Sequence, residues 1–87
     1  MADENGGIFM PKKYNTIIIG GGTAGLTAAI YTARQNKSVA VFESGIIGGQ
    51  IVDSPRIENY PGFCEISGDE FSDRLLKQAL KLGAELI

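Results

Sequence analysis

Ile17-Ile18-Ile19-Gly20-Gly21-Gly22-Thr23-Ala24-Gly25 is the stretch that decides how this chain folds. Three consecutive β-branched apolar residues read as a strand buried on both faces, as in parallel sheets. The glycines interrupt the run, and beyond Thr23 the apolar period changes. Leu26, Ala29, Ile30 and Ala33 recur at i, i+3, i+4 and i+7, the stripe of an amphipathic helix. A second apolar run, Val39-Ala40-Val41-Phe42, ends in Glu43, 18 residues beyond Gly25. A bare G-x-G-x-x-G recurs by chance in turns. Between a strand and a helix, with an acid about 20 residues further on, it marks a dinucleotide-binding βαβ unit.

Each position in the turn has a physical reason. Gly20 permits the tight turn off the strand, Gly22 lets backbone approach a pyrophosphate, and Gly25 lets helix and strand pack closely. Gly21, Thr23 and Ala24 complete a turn whose N–H groups, with the positive end of the helix dipole, suit phosphate. Glu43 can accept hydrogen bonds from an adenosine ribose and would repel a 2′-phosphate, which favours NAD or FAD over NADP. The plainer alternative is a ligand-free strand–helix turn with a solvated acid at the strand end. The motif alone does not separate FAD from NAD.

Working outward, residues 1–13 read as a flexible lead without period. The first strand is predicted over 14–20, the first helix over 23–35 and the second strand over 38–43. Residues 44–66 read as one long irregular loop, a length that is usually functional. Ser67 and Glu70 have the spacing of a capping box at the start of a second helix. Its buried side is predicted as Phe71, Leu75, Gln78 or Ala79, and Leu82, with Gly83 at the left-handed C′ position. Glu85-Leu86-Ile87 reads as a third strand cut short. The order β-α-β-loop-α-β predicts an α/β fold with a parallel sheet, a partial Rossmann-like domain over 14–87 truncated at the third strand. If the strands step in one direction, right-handed crossovers put both helices on one face. The other face would lie bare although the isoleucines point to both sides. This implies a missing layer, supplied by the rest of a larger domain or by a partner subunit.

Composition narrows the function classes. The 87 residues allow one domain, with ordinary apolar and charged fractions of 44% and 21%. Net charge is −2 and the basic residues are scattered, so neither nucleic acid nor a membrane surface is indicated as partner. No apolar run nears the roughly 20 residues that span a bilayer. The start lacks a signal-peptide layout, and a cytoplasmic location is expected. With one cysteine there is no internal disulfide and no C-x-x-C pair. With no histidine, acid–base chemistry near neutral pH would need a strongly shifted Glu, Lys or Cys. No catalytic or metal-ligating set is therefore assigned, and a cofactor would carry any chemistry. Cys64 lacks a partner cysteine and a nearby cation to stabilise a thiolate, and is expected to be a small packing residue.

Gly48-Gly49-Gln50 and Ile57-Glu58-Asn59-Tyr60-Pro61-Gly62-Phe63 bear on the choice of cofactor. Paired glycines let backbone approach a flat ligand. Gln50 and Asn59 can each donate and accept, as a flavin edge or ribityl chain requires. Read alone, they serve equally well as turn residues.

Taken together in this order and spacing, IIIGGGTAGLTAAIYTAR, Glu43, GGQ, IENYPGF and the SGDEF helix resemble the N-terminal segment of the bacterial thioredoxin reductase family. The resemblance covers nearly the whole chain after residue 13. It implies an FAD-binding domain, with Gly20, Gly21, Gly22, Thr23, Ala24 and Gly25 at the pyrophosphate and Glu43 at the adenosine ribose. Gly48, Gly49, Gln50 and Asn59 would lie along the flavin half. It implies electron flow from NADPH or NADH, bound on a domain absent from this chain, through FAD to a disulfide and then to a thioredoxin-like protein. It also implies a homodimeric parent. Three departures stand out. Thr23 replaces a proline usual in the family, Ile51-Val52-Asp53-Ser54-Pro55-Arg56 replaces a threonine-rich run, and no C-x-x-C is present. Alternatives carried forward are a ferredoxin–NADP reductase of thioredoxin reductase type, a plain NAD-binding domain, and a non-catalytic truncated fragment that turns over no substrate.

Overall fold

The structure, a computed structural model, describes residues 13–87. The lead expected over 1–13 therefore lies, apart from Lys13, outside the described residues. Strand β1 (Thr16–Ile19) leads into helix α1 (Thr23–Arg34), and strand β2 (Val39–Phe42) into a short 3-10 helix (Gly49–Asp53). Helix α2 (Gly68–Lys81) and strand β3 (Glu85–Leu86) follow. The sheet order is β1-β2-β3, all parallel. Thr16 pairs with Val39 and Ile19 with Phe42, while Ala40 and Val41 pair with Glu85 and Leu86. The strands thus step in one direction, as the alternation of elements predicts.

Both helices cover the same face. Ala29, Ile30 and Ala33 of α1, Val39 and Val41 of β2, Ala79 of α2 and Ala84 form one buried cluster, against which Ile18 and Leu75 pack. The alanines keep the helices close to the sheet and to each other. On the opposite face the isoleucine run meets solvent, with Ile17 56% and Ile19 83% exposed. Phe42 and Ile87 are exposed as well.

The two helices begin in different ways. The Ser67 hydroxyl accepts the Glu70 N–H at 3.1 Å and caps α2, and Asp69 and Glu70 complement its dipole. The Glu70 carboxylate pairs with Arg74 at 2.8 Å instead of reaching back, so the capping box is half formed. Helix α1 starts at Gly22 with no side-chain cap and no acid in its first turn. It ends through Asn36 at a φ of 59°, and α2 ends through Gly83 at 110°.

Two expectations need correction. Residues 44–66 are not one structureless loop. They contain the 3-10 helix, and Ile57 and Ile66 close a smaller loop by exchanging backbone hydrogen bonds of 2.6 and 3.1 Å. The buried side of α2 is as expected at Phe71 and Ala79 and differs elsewhere. Gly68, Phe71, Ser72 and Ala79 are buried, Leu75 is half-buried, and Gln78 and Leu82 are exposed. The first turns of α2 lie against backbone, since a Cβ on Gly68 would stand 1.6 Å from the Ile51 carbonyl oxygen. Small residues are selected there, which an apolar period cannot reveal. Among the described residues no helix is long and apolar enough to cross a membrane.

Candidate cofactor site at the glycine turn

The carboxyl ends of the parallel strands and the start of α1 meet at the glycine turn. Gly20 leaves β1 at a φ of 104°, a conformation that L side chains rarely adopt, and donates to the Phe42 carbonyl at 2.8 Å. Gly25 faces back on the same residue, because a Cβ there would stand 2.0 Å from the Gly20 carbonyl oxygen. Gly22 is the opposite case, with no atom within 4 Å of a Cβ built on it. Its carbonyl accepts the Leu26 N–H at 2.9 Å, the first bond of the helix. The N–H groups of Thr23, Ala24 and Gly25 consequently have no acceptor within the helix. An uncapped helix start beside open space is a place for an anion.

Glu43 is held by this turn. Its Oε1 accepts the Gly21 N–H and its Oε2 the Gly45 N–H, both at 2.8 Å. The Gly45 N–H first, and the Gly21 N–H next, keep its carboxyl below the ordinary glutamate value. A carboxylate has about four lone-pair positions, so each oxygen can still accept from a hydroxyl. The second glycine segment joins the same assembly. The Gly48 N–H donates to the Gly21 carbonyl at 2.7 Å, and Gly22 and Gly48 form a parallel bridge. A Cβ on Gly49 would lie 3.8 Å from the Gly22 Cα.

Two depressions flank the turn. One, of about 290 Å³, is lined by Ile19, Gly20, Phe42, Glu43, Ser44 and Ile87 at the ends of the strands. The other, of about 380 Å³, is lined by Thr23, Ala24 and Thr27 of α1 with Ile51, Tyr60 and Phe71. Of the residues singled out from the sequence, Gly20, Gly21, Gly22, Thr23, Ala24, Gly25, Glu43, Gly48 and Gly49 are brought together here. Gln50 and Asn59 are exposed and take no part in these hydrogen bonds. Cys64 is exposed too, not packed as expected. Ile51, Tyr60 and Phe71 were not among the site residues expected from the sequence. The Tyr60 ring packs on Phe71 with centroids 4.8 Å apart, which carries the loop tip toward α1. The available signal was an aromatic residue next to Asn59 in a loop, with a second aromatic in the helix that follows.

Comparison with known proteins agrees with this architecture. The family model described as pyridine nucleotide-disulphide oxidoreductase matches residues 14–86. Over 74 residues the chain is 51% identical to the thioredoxin reductase of Bacillus subtilis (strain 168), which covers 85% of this chain and 23% of that protein. Among solved structures, the thioredoxin reductase from Streptococcus pyogenes MGAS5005 superposes with a TM-score of 0.82 at 49% identity, covering 85% of this chain and 24% of that one. The Lactococcus lactis thioredoxin reductase (FR conformation) gives 0.81 at 44%, covering 86% and 25%. The chain thus spans about a quarter of the length of these relatives. With sequence, parallel α/β fold and glycine turn in agreement, it belongs to the pyridine nucleotide-disulphide oxidoreductase family.

Proposed function

We propose that residues 14–87 are the N-terminal portion of an FAD-binding domain in a thioredoxin reductase-like oxidoreductase, and that their task is to hold the dinucleotide. The observation that carries this reading is Glu43, whose carboxylate is tied to Gly21 beside the uncapped start of α1. On this reading Glu43 would accept the ribose next to a helix start that takes the phosphate. The two depressions on either side of the turn suit the two ends of a dinucleotide whose pyrophosphate lies between them.

The residues fit the group. The open space at Gly22 admits a phosphate to the N–H groups of Thr23, Ala24 and Gly25. Thr23, at the position where the family usually has proline, keeps its N–H. The free lone pairs of Glu43 accept ribose hydroxyls, and Gly48 and Gly49 carry the chain away from the turn without bulk. Gln50 and Asn59 supply donors and acceptors on the flavin side. When bound, FAD supplies the hydride and electron chemistry, which no side chain of this segment can provide. In the whole protein, the nicotinamide donor, a disulfide and a thioredoxin-like acceptor would act outside this segment, in a homodimer.

Flavin released from the purified, denatured protein supports this reading. In that protein Glu43→Ala should weaken FAD binding about tenfold or more, the value of one or two charge-assisted hydrogen bonds. Unchanged FAD affinity in the variant would refute the ribose assignment. A protein that binds NAD but no FAD would instead be a plain NAD-binding domain.

A further inference from the structure

We propose that Arg56 is a positioning residue, a charged clamp that closes the base of the loop carrying Asn59 and Tyr60. Its consequence for cofactor binding rests on the flavin reading above. The loop spans 57–66 and is closed by the two backbone hydrogen bonds between Ile57 and Ile66. Within it the Phe63 N–H reaches the Tyr60 carbonyl at 3.2 Å. Its tip is docked on α2, with Tyr60 on Phe71 and the Arg74 guanidinium 5.3 Å from the Phe63 ring centroid. Glu58 follows Ile57 on one limb, and Glu65 precedes Ile66 on the other. Two carboxylates next to the same bridge would push its limbs apart. The Arg56 guanidinium stands between them, its Nε paired with Glu58 Oε1 and its Nη1 3.7 Å from Glu65 Oε2.

All three side chains are more than half exposed, so neither pair is strong alone. The clamp matters because a loop closed by so few bonds opens at low cost, and small differences shift its population. The planar fork of arginine reaches both limbs at once, whereas a lysine ammonium is a single point charge. Asn59 adjoins Glu58, and Tyr60 lines the depression at the start of α1. Opening the base would therefore move the polar group and the ring that border the proposed site.

The test compares Arg56→Gln, Arg56→Lys and wild type by amide exchange without flavin and by FAD titration, in the native polypeptide that contains this segment. Arg56→Gln should speed exchange at Ile57 and Ile66 about threefold to tenfold, the range for two exposed pairs. Amides of α1 and β2 should be unaffected. Arg56→Lys should recover part of the difference, and added salt should shrink it. In a Glu58→Gln/Glu65→Gln background Arg56→Gln should have no further effect. FAD affinity should fall about threefold in Arg56→Gln while the melting temperature of the flavin-free protein stays put. Unchanged exchange at Ile57 and Ile66 would overturn the clamp whether or not flavin binds. Faster exchange with unchanged FAD affinity would overturn its positioning role. A wild type that takes up no FAD, with exchange still responding to Arg56, would sink the flavin reading and leave the clamp standing.

Discussion

Gly22 and Gly25 stand three residues apart and are constrained in different ways. Gly25 has a carbonyl oxygen where its Cβ would be, whereas Gly22 faces empty space. Gly25→Ala should therefore cost about 3 kcal/mol of stability, as overpacking against rigid backbone does. Gly22→Leu should fold with a loss of no more than about 1 kcal/mol at the helix cap, yet lose flavin. Urea unfolding and flavin titration on the two variants separate the roles. Equal destabilisation by both would show that the open space at Gly22 is not reserved for a ligand. Glu43 adds a pH dependence. Its folded carboxyl is below the ordinary value, so its contribution is fully present above an unfolded value of about 4.3 and fades as pH falls through the lower folded value. The Gly21 and Gly45 amide resonances should titrate together in that acid range. Titration at the ordinary glutamate value would contradict the hydrogen bonds. Sequence spacing singled out Gly20, Gly25 and Glu43 because their roles depend on local chain geometry. The Gly21–Glu43 bond was not legible, since it exists only once β1 and β2 pair.

At the scale of elements, α1 and α2 show how a helix start can be finished or left open. Ser67 completes α2, so Ser67→Ala should lower stability by about 1 kcal/mol without changing flavin binding. Thermal unfolding of the native protein and the variant would show it, and a loss of flavin affinity instead would mean that α2 is coupled to the site. Helix α1 has no comparable cap, and its unsatisfied N–H groups are the ones proposed for phosphate. Helix α1 was legible from its apolar period, and α2 from the spacing of Ser67 and Glu70. The interior of 44–66 was not. Its 3-10 helix and the Ile57–Ile66 bridge are set by contacts with the glycine turn and α2, with no period of their own. The same contacts explain why Ser72, and not Leu82, is buried.

On the scale of the molecule, the one-directional strand order leaves Ile17, Ile19 and Phe42 on a face with no covering layer among the described residues. An isolated chain should bind an apolar fluorescent dye on this face. Ile19→Thr should weaken that binding with little change in stability, because the side chain is 83% exposed. Dye binding that ignores the substitution would place the apolar surface elsewhere. The bare face was legible from the isoleucine run together with right-handed crossovers. FAD binding at the glycine turn is tested most directly by titrating FAD into the purified native protein, first stripped of flavin, and into Glu43→Ala and Gly22→Leu. Stoichiometric uptake by the native protein, weakened about tenfold or more by the first substitution and abolished by the second, is the expected result. A folded native protein that takes up no FAD, or variants that bind it as well as the native protein, would contradict it.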